Sequence, residues 1–296
     1  MAKNLVKPCV PKGLAMEKKR ENKMGFAQGE EKMATQQRGK HTMRNQSAIK
    51  NYGDKIIFGR IKRPIENEMC IIHGTTPVIY FGNYDDAKAC TISINPSDKE
   101  FKNGKGELLK NGKERLCSRE MLDISDNKKL SNSQAKKVID YCKKYFHNNP
   151  YKIWFNPVDF FIKQFGYSYN DSGYDTCVHL DLVQWATDKW SSIPEDIKKK
   201  HLKKDLPILK HLLSKKDLKI MFLNGKTVVE EVKQHLNINL EEKSVKYKKQ
   251  TLRIYFGKYN KIDIIGWNLV LAKIGGYENI KELCNIIKAK RKLWFN

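Results

Sequence analysis

Four short apolar runs, at residues 89–94, 176–183, 218–223 and 263–267, each lead into or contain polar groups at a strand end. Helical patterns lie between most of them. Residues 132–146 carry Val138, Ile139, Tyr141, Cys142 and Tyr145 at helical spacing. Residues 157–165 form a second helical pattern, with Pro157 suited to its first turn. A lysine-rich helix over 193–213 is interrupted at Pro207. Another helix opens at Gly225 and runs through Leu236, and a last one covers 279–291. Shorter strands are expected at 70–73 and 77–81, and an outer one at 248–256. Strands alternating with helices predict an α/β fold with a largely parallel sheet. In such sheets ligands gather at the carboxyl ends of the strands.

The charge balance narrows the partner. The chain has 296 residues and a net charge of +24, from 57 basic against 33 acidic residues. An excess of this size favours a polyanion, DNA or RNA; a generally lysine-rich proteome is the plainer explanation. Five Trp, 13 Tyr and 12 Phe supply a real core. Residues 1–63 hold 16 Lys and Arg against 5 Asp and Glu, with little periodic hydrophobicity until Ile56. They read as a basic, mobile arm that either binds phosphate or is a solvated leader, leaving 64–296 as one domain. Seven cysteines at 9, 70, 90, 117, 142, 177 and 284 form no CxxC pair. Reduced core thiols in a cytoplasmic protein are expected, with no disulfide framework and no zinc knuckle. No apolar run reaches membrane-spanning length.

The most informative stretch is Thr-Ile-Ser-Ile-Asn-Pro-Ser at 91–97, where an apolar strand enters a turn headed by Asn95. Pro96 fixes that turn and Ser97 adds a hydroxyl. Further polar groups stand at 176–181, at the Asn224-Gly225-Lys226-Thr227 turn and at Gly266-Trp267-Asn268. His179 and Asp181 share a strand face by the two-residue period. They either face a ligand or pair with each other structurally. The 224–227 turn could bind phosphate at a helix start or be an ordinary capped turn.

The segments SINPSDKEF at 93–101, CVHLDLVQWAT at 177–187, MFLNGKTVVEEV at 221–232 and IIGWN at 264–268 together resemble the uracil-DNA glycosylase superfamily. The aromatic stretch YFHNNPYKIWF at 145–155 adds to the likeness. The similarity covers roughly residues 65–296 and lies nearest the branch that bacteria use against phages, whose members remove modified cytosines. It implies a three-layer α/β/α fold with a central, mainly parallel four-stranded sheet. It also implies a monomer acting on DNA, with hydrolysis of the N-glycosidic bond of a flipped base and no metal or cofactor.

On this resemblance Asn95 matches the water-positioning residue, and Asp98 could supplement it or cap a helix. Asp181 stands where members usually carry Asn. An ionised carboxylate only accepts hydrogen bonds and so suits the exocyclic amine of cytosine. His179 could contact the base or hold Asp181. Phe101 is the preferred stacking platform, ahead of Tyr84 and Tyr169. Ser97, Asn224, Lys226 and Thr227 are the expected phosphate contacts. Asn268 stands near the family's second motif, whose histidine is missing here, and could donate a weaker bond. A uracil or mismatch repair glycosylase, a non-catalytic DNA-binding protein of this fold and an RNA-directed protein are the alternatives.

Overall fold

The computed structural model describes residues 55–187, 189–214 and 217–295; the expected arm lies outside them except for its last nine residues. The elements are α1 (residues 55–61), β1 (Ala89–Ser93), α2 (Asn132–Lys143), α3 (Lys152–Lys163), β2 (Tyr167–Ser168), β3 (Asp175–Asp181), α4 (Glu195–Leu213), β4 (Ile220–Asn224), α5 (Lys226–Leu236), β5 (Leu240–Tyr247), β6 (Gln250–Tyr259), β7 (Ile262–Trp267), α6 (Leu271–Ile274) and α7 (Tyr277–Phe295). They build one seven-stranded sheet in the order β2-β3-β1-β4-β7-β6-β5.

The expected four-stranded sheet is therefore too small. Parallel pairing runs from β2 through β3, β1 and β4 to β7, and β6 and β5 add antiparallel strands. Short connections force the antiparallel part. Lys248 (φ 54°) and Asn260 (φ 53°) turn the chain between β5, β6 and β7 within two residues, too few for a crossover. β5 escaped the sequence pattern because it is an edge strand. Only Leu240 and Tyr247, at its ends, are buried, and its charged middle protects the open edge.

Helices cover both faces of the sheet. Trp267 is fully buried on the face of α3, its ring 4.2 Å from that of Phe161. The preceding Gly266 must face the other way. A methyl group there would lie 3.0 Å from Val229 Cγ2 of α5. The missing side chain lets α5 approach the sheet.

Other expectations shift locally. α3 starts five residues before Pro157, which sits inside the helix instead of in its first turn. α4 runs unbroken through Pro207. Its buried face, including Ile208, Leu209, Leu212 and Leu213, offsets the lost backbone bond. Residues 70–73 and 77–81 make only isolated bridges, Ile71 with Thr187 and Phe81 with His179. The six described cysteines are free, and all but Cys70 are buried. Among the described residues no helix is long and apolar enough to cross a membrane.

The folded unit begins ahead of residue 64. Ile61 is fully buried, and Arg60 Nη2 pairs with Asp205 of α4 at 2.5 Å, both side chains out of solvent. Asp205 Oδ2 also accepts from Gln184 N, and Gln184 Nε2 donates to Asp181 O. The segment before the expected boundary thus braces the loop that follows β3. Removing one partner of a buried pair strands the other charge, at a cost of about 3–5 kcal/mol. Arg60→Ala should lower the unfolding free energy by about that amount in urea titrations, with Asp205→Ala adding much less in the double variant. Additive losses would show that the pair is not coupled.

Candidate active-site cavity

The carboxyl ends of β1 and β3 lie side by side. Their parallel register pairs Thr91 with His179 and Ser93 with Asp181. Past Ser93 the chain runs through Asn95 and Pro96 into one 3-10 turn, Asp98–Glu100, capped by Ser97. A cavity of about 340 Å³ opens there, walled by Phe81, Asn95, Glu100, Tyr151, Phe155 and Asp181 among others. That volume is at the small end of the roughly 300–1,000 Å³ typical of small-molecule sites.

Asn95 is held by its amide nitrogen. Nδ2 donates to Pro96 O and to Thr187 Oγ1, both at 3.0 Å. Among the described residues no hydrogen bond reaches its Oδ1, which is left as an acceptor beside the cavity. Ser97 also lines the cavity, but its hydroxyl serves the turn: it accepts from Lys99 N and donates to Asp98 Oδ1. Asp98 is exposed and does not reach the cavity wall, so the cap is Ser97 and Asp98 is its partner.

Asp181 is only 3 % exposed, yet among the described residues neither carboxylate oxygen has a hydrogen-bond partner. His179 Nε2 stands 3.5 Å from its Oδ1, an electrostatic contact and not a made hydrogen bond. On the far side of the ring, Nδ1 meets Thr91 Oγ1 at 2.7 Å, and that hydroxyl meets Tyr169 OH at 2.7 Å. With Tyr169 as first donor, Thr91 donates to Nδ1 and the imidazole N–H faces Asp181. The two-residue period thus puts His179 and Asp181 on the same face, as the sequence implied.

Glu100 is the functional candidate that sequence reasoning missed. It is 3 % exposed and lines the same cavity. Tyr145 OH donates to its Oε2 at 2.5 Å, while Tyr145 oxygen accepts from Tyr151 N at 2.9 Å. Burial pushes the Glu100 carboxyl up to about 8, opposed by the Tyr145 bond and Arg115 and assisted by the charge of Asp181. Nothing in the charge pattern separates Glu100 from a surface acid. The sign was its partner segment, 145–155, which supplies Tyr145, Tyr151, Trp154 and Phe155.

Aromatic residues of that segment line the cavity, and Phe101, Tyr84 and Tyr169 do not. Tyr151, Trp154, Phe155 and Phe81 wall the cavity. Phe101 is buried outside it. Tyr84 binds Leu212 O, and Tyr169 stacks on Phe146 with centroids 4.2 Å apart. Lys99, on the cavity wall, and Arg115 stand 5.9 and 5.4 Å from the centre of the Tyr151 ring.

The other expected contacts lie elsewhere. Asn224 is buried, its Oδ1 accepting from Trp267 Nε1 and Leu271 N. Gly225 (φ 104°) makes the tight turn into α5, and its N–H and that of Lys226 are spent on Trp267 O and Asn268 O. Lys226 Nζ sits 3.5 Å from Glu230, and Thr227 is exposed. Only the next residue, Val228, touches the cavity. Asn268 accepts from Arg253 N and donates to Thr251 O, clamping β7 to β6. Asn224 Oδ1, the N–H groups of Gly225 and Lys226, and the Asn268 amide are thus occupied by structural bonds at these turns.

No protein-family model matches the chain, and no curated protein shows significant similarity to it.

The raised Glu100 carboxyl has a stability consequence whose sign is fixed. Folding takes up a proton between the ordinary glutamate range, near 4.3, and about 8. The native state therefore loses stability as pH rises through that window and levels off above it. Glu100→Gln removes the titration. Its stability relative to the native sequence should climb with pH, at up to about 1.4 kcal/mol per pH unit. Urea midpoints at a series of pH values read this directly, and a flat difference would mean that Glu100 ionises normally.

Proposed function

We propose that the cavity receives one base flipped out of DNA and hydrolyses its N-glycosidic bond, and that the base is a cytosine derivative. The observation that carries this reading is Asp181, a buried carboxylate on the wall of the cavity whose two oxygens accept no hydrogen bond among the described residues. An acceptor in that position suits an exocyclic amine, as on cytosine, and repels the O4 of uracil. Asn95 Oδ1, with its amide nitrogen fixed, is suited to hold the attacking water. The aromatic wall supports a base drawn out of the stack, since chemistry at a base needs it removed from the duplex. Lys99, on the cavity wall, is suited to a flanking phosphate, in keeping with a net charge of +24. The family likeness makes modified phage DNA the first substrate to try, and antiphage defence the biological setting.

Two rivals remain defined by the same assay. A repair enzyme would act on uracil, and a binding protein of this fold would release no base. End-labelled duplexes carrying uracil, cytosine, hydroxymethylcytosine or glucosylated hydroxymethylcytosine, treated with alkali after incubation, separate the three. Cleavage at a cytosine derivative is expected, with Asn95→Ala losing most of it while DNA affinity stays near normal. Asp181→Asn should move selectivity towards uracil by one or two powers of ten, since one good base contact discriminates by about 1–3 kcal/mol. Cleavage at uracil alone by the native protein would favour the repair enzyme, and no cleavage on any duplex would favour the binding protein.

A further inference from the structure

We infer that Glu100 is the acid that protonates the departing base, and that with Asp181 it selects bases presenting an amine beside an unprotonated ring nitrogen. The inference rests on the glycosylase reading above. It assigns the leaving-group role that the family likeness leaves vacant, because the segment Gly266-Trp267-Asn268 has no histidine and Asn268 is spent between β6 and β7.

The hydrogen bonds around Glu100 fix where its proton sits. Tyr151 N–H donates to Tyr145 oxygen, which orients the Tyr145 hydroxyl towards Glu100 Oε2. Oε2 is therefore an acceptor, and a neutral Glu100 carries its proton on Oε1. Among the described residues no hydrogen bond reaches Oε1, and the residue lines the cavity. The groups around the acid come from separate parts of the chain. They are Asp181 and His179 of β3, Arg115 and Tyr145 from the loops, and Lys99 beside it in sequence. Burial is the largest influence and keeps the acid neutral near pH 7.

The pairing of donor and acceptor follows. A cytosine ring offers its amine to Asp181 and its unprotonated N3 to the Glu100 proton. Uracil offers the reverse, an O4 acceptor and an N3–H donor, and meets like groups at both positions. Substituents at carbon 5 leave this edge unchanged, so modified cytosines keep the same pattern. During hydrolysis the C1′–N1 bond breaks and its electron pair stays with the base. The Glu100 proton moves to N3, and the base leaves neutral. Water forms the new bond to C1′, and its released proton restores Glu100 by way of solvent.

The test is single-turnover base release by Glu100→Gln and Glu100→Asp across pH, on whichever duplex the native protein cleaves. The native rate should fall as pH rises past about 8. Glu100→Gln should lose about 100-fold or more, the usual worth of a general acid, together with that alkaline limb. Its affinity for an uncleavable 2′-fluoro duplex should stay within a few-fold. A 5-fluorocytosine duplex, whose base leaves more easily, should shrink the deficit, and Glu100→Asp should retain part of the rate. A native rate and pH profile in Glu100→Gln overturns this inference while leaving the glycosylase reading intact. An equal deficit on both leaving groups with a lowered melting temperature does the same, by making Glu100 structural. Failure of the native protein to release any base overturns both.

Discussion

The parallel pairing of β1 with β3 is the constraint on which the site depends. It fixes Thr91 opposite His179 and Ser93 opposite Asp181. Because side chains alternate along a strand, a one-residue slip would turn His179 and Asp181 to the opposite face and break the Tyr169–Thr91–His179 chain. β3 is further held by the Phe81 bridge at His179 and by β2 at its start. Beyond its end, Gln184 ties the Asp181 carbonyl to the Arg60–Asp205 pair. The sheet thus spends several independent interactions on the position of one carboxylate.

The surroundings explain why two carboxyls can share this cavity. Phe81, Tyr145, Phe146, Phe155 and Tyr169 form a continuous ring cluster beneath it, with neighbouring centroids 4.2–5.7 Å apart. So apolar a wall disfavours charge, and a nearby anion disfavours a second one. Both effects act on Glu100, which stays neutral and receives the Tyr145 hydroxyl. Asp181 has the His179 ring at 3.5 Å on one side and the cavity on the other. One cluster of aromatic side chains therefore supplies core stability, part of the cavity wall and the low dielectric that keeps Glu100 neutral.

Much of this was legible in the sequence where period and turn chemistry act locally. The inner strands and the helices between them follow from apolar runs and helical spacing. The shared face of His179 and Asp181 follows from the strand period, and Asn95 from its place at a strand end. What was illegible depends on distant partners. Edge strand β5 lacks a buried stripe, so its pattern resembles a loop. Asn224 and Asn268 look like free polar groups until the turns that consume them are seen. Glu100 is one acid among many until Tyr145, 45 residues away, covers it. Arg60 sits in a segment whose composition suggests a solvated tail, and the buried Asp205 and Ile61 show that the fold starts earlier.

The central claim is hydrolysis at a sugar carbon with release of an intact base, and isotopic oxygen tests it most directly. Duplex DNA bearing a cytosine derivative would be incubated with the protein in water enriched in oxygen-18, and the products resolved by mass spectrometry. The account predicts a free base of unchanged mass, with no heavy oxygen, and a strand left with an abasic sugar. A heavy oxygen on a base still attached to the strand would mean deamination. DNA returned intact would mean that the cavity binds without reacting, and either result would contradict the account.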